Sequence, residues 1–167
     1  MTEINLFKVR RELMAALHAA PWALEIDYLK ILTEAAAATT YEQLSVLAAA
    51  KPRNTMGEAS IAVLNLTGII MPKPSLLLLF FGGTALTDFM ADLEAAVNDP
   101  KTAGIVINVD SPGGQIDLLP EAAAAIRAAR EAKPVMAVAN TYAASAAYWL
   151  AAQADELVVT PSGMVGS

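Results

Sequence analysis

The chain has no cysteine and a single histidine, His18, among its 167 residues. Without cysteine there is no thiol nucleophile, no Cys-based zinc site and no iron–sulfur cluster, and no disulfide supports the fold. A chain of this length buries roughly 70% of its unfolded surface, so it needs no such staple. Basic residues are scarce: 11 Lys and Arg stand against 17 Asp and Glu, a net charge of −6. Binding to a nucleic-acid backbone needs clustered Lys and Arg, so no nucleic-acid partner is expected. Long apolar runs are also missing. Ser75–Phe81 (SLLLLFF) is the most apolar stretch and falls far short of the roughly 20 residues a membrane helix needs, with Pro72, Lys73 and Pro74 just upstream. Met1–Glu12 is charged and lacks the apolar centre of a signal peptide. No membrane span is expected, and Ser75–Phe81 reads as a buried or partner-facing segment.

What the chain does have is apolar residues, at 56% with only 17% charged, which excludes a disordered polymer. Two regions differ in period. In residues 1–50 apolar residues such as Leu13, Leu17, Leu24, Tyr28, Leu29 and Leu32 recur at helical spacing, with Pro21 between helices, and predict a small helical N-terminal segment. Residues 51–60 (KPRNTMGEAS) are polar and read as a linker. From residue 61 strands and helices alternate. Strands are expected at Ile61–Ile70, Gly104–Val109, Val135–Ala139 and Leu157–Thr160, and helices at Leu86–Val97, Glu121–Ala132 and Ala146–Ala154. Repeated β-α-β units imply an α/β fold with right-handed crossovers and a mostly parallel sheet. Ligands in such folds sit beyond the carboxyl ends of the strands.

Two segments occupy such ends. Asp110–Gln115 (DSPGGQ) follows the Gly104 strand. Its adjacent glycines suit either a tight turn that reverses the chain or a loop presenting bare N–H groups to an anion. Asn140–Leu150 (NTYAASAAYWL) follows the Val135 strand and places Ser145, flanked by alanines, at the start of a helix. That serine is either an N-cap or a nucleophile with room for a substrate beside it. A serine and a Gly-Gly loop on neighbouring strand ends make the arrangement that acyl transfer requires.

DSPGG, then TYAASAAYWLA, then ADELVVTPSGMVGS, with IAVLNLTGII as first strand, resemble in order the S49 peptidases, the signal peptide peptidase A family, over Ile61–Ser167. That family shares the fold of the Clp protease and crotonase superfamily. The resemblance is strongest to a phage and prophage branch thought to process capsid or scaffold proteins during head assembly. It implies Ser145 as nucleophile and an oxyanion hole from the N–H groups of Gly113, Gly114 and Ala146. It implies a protein or peptide substrate, a homo-oligomer, no cofactor or metal, and a place in the host cytoplasm or phage prohead. Family members pair the serine with a lysine base some fifty residues later. Only 22 residues follow Ser145 here and none is lysine. The peptidase domain at 61–167 is therefore expected to be C-terminally incomplete, and the chain alone inactive. Of the lysines present, Lys101 and Lys133 precede strands and read as solvated charges at the far end of the sheet, while Lys73 is at the near end; His18 lies in the helical segment. Two alternatives stand beside the peptidase. One is a non-catalytic assembly protein of the same fold. The other is a crotonase-like acyl-CoA enzyme, for which no basic CoA-binding cluster is evident.

Overall fold

The computed structural model describes residues 61–166 and, for the backbone, Trp22–Leu24. The linker, His18 and most of the expected helical segment lie outside the described residues. The part of that segment within them is not helical. Trp22–Leu24 is a strand, β1, paired antiparallel with Gly113–Gln115. Three residues too few to show a period took their conformation from a sheet edge that accepted them, and local spacing could not foresee this.

The remaining elements follow the β-α-β pattern. They are β2 (Ile61–Met71), α1 (Leu76–Phe81), β3 (Gly83–Ala85), α2 (Leu86–Asn98), β4 (Gly104–Gln115), α3 (Leu119–Ala132), β5 (Val135–Ala144), α4 (Ala146–Ala151), β6 (Glu156–Val159) and β7 (Met164–Gly166). Among the described residues the sheet runs β3-β2-β4-β5-β6, with β1 on β4 and β7 on β5. All pairings except that of β1 are parallel. The fold is thus the expected α/β class with a mostly parallel sheet.

One face of the sheet supplies the core. Alternate residues Ala62, Leu64 and Leu66 of β2, Ile105, Ile107 and Val109 of β4, and Val135, Ala137 and Ala139 of β5 are buried. They meet Leu86, Phe89 and Leu93 of α2 and Leu119, Ala122 and Ile126 of α3. On the other face Asn65 and Asn108 lie opposite each other in register, and the Asn108 amide donates to Asn65 Oδ1 at 2.9 Å. The apolar run at residues 75–81 became α1, capped by the Ser75 hydroxyl, with Leu77 and Phe80 buried and Leu76 and Leu79 exposed.

The amino ends of β5 and β6 are joined by Asp155. Its Oδ2 accepts from the Val135 N–H at 2.8 Å, its own N–H donates to Val135 O at 2.8 Å, and its Oδ1 accepts from Arg130 Nε at 2.7 Å. The Val135 amide, then the Arg130 guanidinium, hold its carboxyl below the usual carboxylate range. A carboxylate whose folded pKa is depressed stabilises the fold above its unfolded pKa and loses that contribution as pH falls through the folded one. Asp155→Asn is therefore expected to lower the urea midpoint at neutral pH. The gap to the parent should close as the pH is taken down through and below the ordinary carboxylate range; a pH-independent gap would contradict the linkage.

Candidate active site

β4 does not stop at Val109, and the DSPGG segment is not a turn. The strand continues through Gln115, with the irregularity absorbed as bulges against both neighbours. Against β2 the register slips between Thr67 and Ile69, so that Gly113 and Gly114 come opposite Ile69 and Ile70. Ser111 holds this slip in place. Fully buried, its hydroxyl donates to Gly68 O at 2.6 Å and accepts from the Gly113 N–H at 3.1 Å. Gly113 has φ +103°, a conformation that side chains resist. At Gly114 the limit is space, because a Cβ would lie 1.9 Å from the Ile70 carbonyl oxygen. Glycine is thus required at both positions, for different reasons.

β5 likewise runs past Ala139, to Ala144. Its register with β4 jumps from Val109 opposite Ala139 to Ser111 opposite Ala143, which leaves Asn140–Tyr142 bulged out. Thr160 closes over the bulge, donating from its N–H to Ala139 O at 3.1 Å and from Oγ1 to Asn140 O at 2.7 Å. The terminal residues Tyr142–Ala144 then pair with β7.

Ser145 is the single residue between β5 and α4. It has φ 54° and ψ −118°, a sharply turned conformation rare for any residue with a side chain. The Ser145 N–H donates to Gly166 O of β7 at 2.6 Å, which locks the turn. The N-cap alternative fails, since the Ser145 side chain makes no capping bond. The flanking residues Ala143, Ala144, Ala146 and Ala147 are all buried, so they let the turn pack onto the sheet rather than open space around the hydroxyl. The serine itself is half-buried. Strained, tightly pinned strand-to-helix turns that expose a serine at a sheet's carboxyl edge are the geometry of a nucleophile elbow.

The sheet therefore brings Ser145, the Gly113–Gly114 run and the first N–H of α4, that of Ala146, to one end, with Ser111 opposite Ala143 linking the two strand ends. It does not bring a basic lysine there from the amino ends of the strands. Lys133 sits before β5 and is not the free surface charge expected from sequence. Its Nζ donates to Ala96 O at 2.9 Å and Asp99 O at 2.5 Å, capping the carboxyl end of α2. Lys101 is exposed before β4, and Lys73 is exposed between β2 and α1. Sequence reasoning missed Ser111 and β7. For Ser111 a signal existed, because a serine two residues before a glycine can accept that glycine's N–H in a local turn. For β7, whose carbonyl pins Ser145, there was none.

The family model of Peptidase family S49 matches residues 127–167, the stretch containing Ser145. The chain is 35% identical over 107 residues to capsid assembly protease C of Escherichia phage lambda, covering 64% of this chain and 24% of that one. It is also 36% identical over 107 residues to head-tail preconnector protein GP5 of Enterobacteria phage P21, covering 64% and 21%. With Protease 4 of Salmonella typhi it shares 41% identity over 70 residues, covering 41% and 11%. The chain is thus similar in sequence to S49 peptidases over its C-terminal part. It spans about a quarter of the length of the two phage proteins. Among solved structures, an enoyl-CoA hydratase/isomerase family member matches with TM-score 0.54 at 15% identity, covering 70% of this chain and 51% of that one. An enoyl-CoA hydratase from Polaromonas sp. JS666 also matches with TM-score 0.54, at 21% identity, covering 68% and 49%. At these identities the likeness is one of fold alone. No helix among the described residues is long and apolar enough to cross a membrane.

Proposed function

We propose that this chain carries the nucleophile and oxyanion-binding half of an S49-type serine endopeptidase that processes capsid or scaffold protein in phage head maturation. The observation that carries the reading is the backbone of Ser145, held at φ 54° and ψ −118° with its hydroxyl free of any capping duty. Strain of this kind costs of order 1–3 kcal/mol and persists where surrounding structure over-determines it, most often at active sites. In this reading Ser145 Oγ attacks the scissile carbonyl, and the oxygen that becomes negative is received by the Gly113–Gly114 main chain and the Ala146 N–H. Ser111 shares the Gly113 N–H and fixes the loop's direction before substrate arrives.

A serine hydroxyl is a weak nucleophile until a base removes its proton. The base that the S49 resemblance implies is a lysine, and that role is not given to Lys101 or Lys133, which precede β4 and β5 at the opposite end of the sheet. The likeness to capsid assembly protease C of phage lambda supports a capsid or scaffold substrate. The deciding test is Ser145→Ala in phage heads or in cells co-expressing the capsid and scaffold proteins. Processing should stop while the variant remains folded. Continued processing would refute the assignment.

A further inference from the structure

Beyond Ser111, β4 has one edge taken and one vacated. Gly113 and Gly114 pair with Ile69 and Ile70 of β2 on the first edge. On the second, β5 accompanies β4 only as far as Ser111 opposite Ala143, and the chain then turns away at Ser145. An edge abandoned in this way leaves main-chain donors and acceptors that need partners. β1 fills it. Trp22 lies opposite Gln115, Ala23 opposite Gly114 and Leu24 opposite Gly113, antiparallel. Since β2 holds one side of these residues, β1 lies on the other, the side of β5 and Ser145.

The pairing is between main chains, so any extended peptide offers the same groups, and a peptide longer than three residues can offer more. We infer that Trp22–Leu24 is an intramolecular occupant of the peptide-binding edge beside Ser145, and that the chain is latent until an extended peptide displaces this strand. The consequence for catalysis rests on the peptidase reading; the occupancy of the edge does not. The site would recognise polypeptide backbone in extended form, and its apparent affinity is reduced by the fraction of time β1 is in place.

Ladder bonds alternate along an antiparallel strand, so the donors are either Ala23 or Trp22 and Leu24. Proline removes a donor. The full chain is therefore made with Ala23→Pro, and separately with Trp22→Pro and Leu24→Pro together, both in a Ser145→Ala background that needs no catalysis. The probe is a fluorescein-labelled peptide of residues 20–27 (APWALEID), read by anisotropy, alongside amide exchange at Gly113–Gln115. At least one proline variant should bind the probe about tenfold more tightly than the Ser145→Ala parent. In that variant the Gly113–Gln115 amides should exchange faster, and added peptide should restore their protection. Equal affinity in all three chains, absence of binding, or unchanged exchange in both proline variants would overturn the inference. Processing retained in Ser145→Ala would instead overturn the peptidase reading and leave the binding result standing.

Discussion

Ser145→Gly should be more stable than the parent and inactive. Ser145 occupies a backbone region that side chains disfavour, and glycine adopts it without strain. Relief of the strain outweighs the larger entropy that glycine loses on folding. The net gain is about 1 kcal/mol, or roughly 3 °C in melting temperature for a chain of this size. Ser145→Ala keeps the strain and removes a hydroxyl that caps nothing, so its stability should stay within about 0.5 kcal/mol of the parent. On the proposed peptidase reading both variants lose the attacking oxygen. Removing the nucleophile of a serine protease costs about 10⁶ in kcat, so neither should process substrate at a measurable rate. Thermal melts and a processing assay on the three proteins suffice. A destabilised Ser145→Gly would mean that the serine side chain holds the turn together, and the case for a strained functional residue would fall.

The second large effect is expected at Gly114. An added Cβ would meet the carbonyl oxygen of Ile70 at 1.9 Å and its N and C atoms at 2.6 Å. All of these are backbone, so no side chain can swing aside, and the carboxyl end of β4 must retreat from β2 by more than an ångström to reach ordinary contact distance. Gly114→Ala should cost about 2–3 kcal/mol in denaturant titration. It should also cut processing by about 10² or more, because a displacement of 1 Å in a catalytic array has that effect. Gly104→Ala is the comparison on the same strand. There the nearest neighbour is the flexible Ile61 Cδ1 at 3.3 Å, so the change should cost less than about 1 kcal/mol and leave processing intact. If the two variants behaved alike, the close approach of β4 to β2 would not shape the site.

The Ser145 pair tests the chemistry of the turn, and the Gly114 pair tests the placing of the loop facing it. Both parts depend on the departures of β4 and β5 from regular pairing, β4 by slipping past Thr67 and β5 by bulging at Asn140–Tyr142. Bulges are common next to active sites because they re-aim a strand without ending it. Here the two bulges end with Ser111 opposite Ala143, so the loop and the serine turn share one point of attachment.

Much of the scaffold could be read from residue patterns. The buried runs of β2, the first half of β4 and the start of β5 were visible because strands of a parallel sheet read as short, nearly continuous apolar runs. α2 and α3 were visible because their buried residues recur at helical spacing, as Leu86, Phe89 and Leu93 do. Ser145 and the two glycines stood out by composition alone. The second halves of β4 and β5 did not, since DSPGGQ and NTYAA lack an apolar alternation and look like loops. They are strands because neighbours supply their hydrogen bonds: β2 and β1 for one, β7 for the other. The same holds for Trp22–Leu24, whose spacing suggested helix. Amino-acid order therefore determined the α/β architecture, the class of residues at the sheet's carboxyl end and the absence of thiol chemistry, all properties of period and composition. Tertiary structure alone decided that Ser145 is strained rather than capping, that Ser111 holds the glycine loop and that β1 lies along it. Each of these rests on hydrogen bonds or close contacts between segments far apart in the chain, which no local pattern encodes.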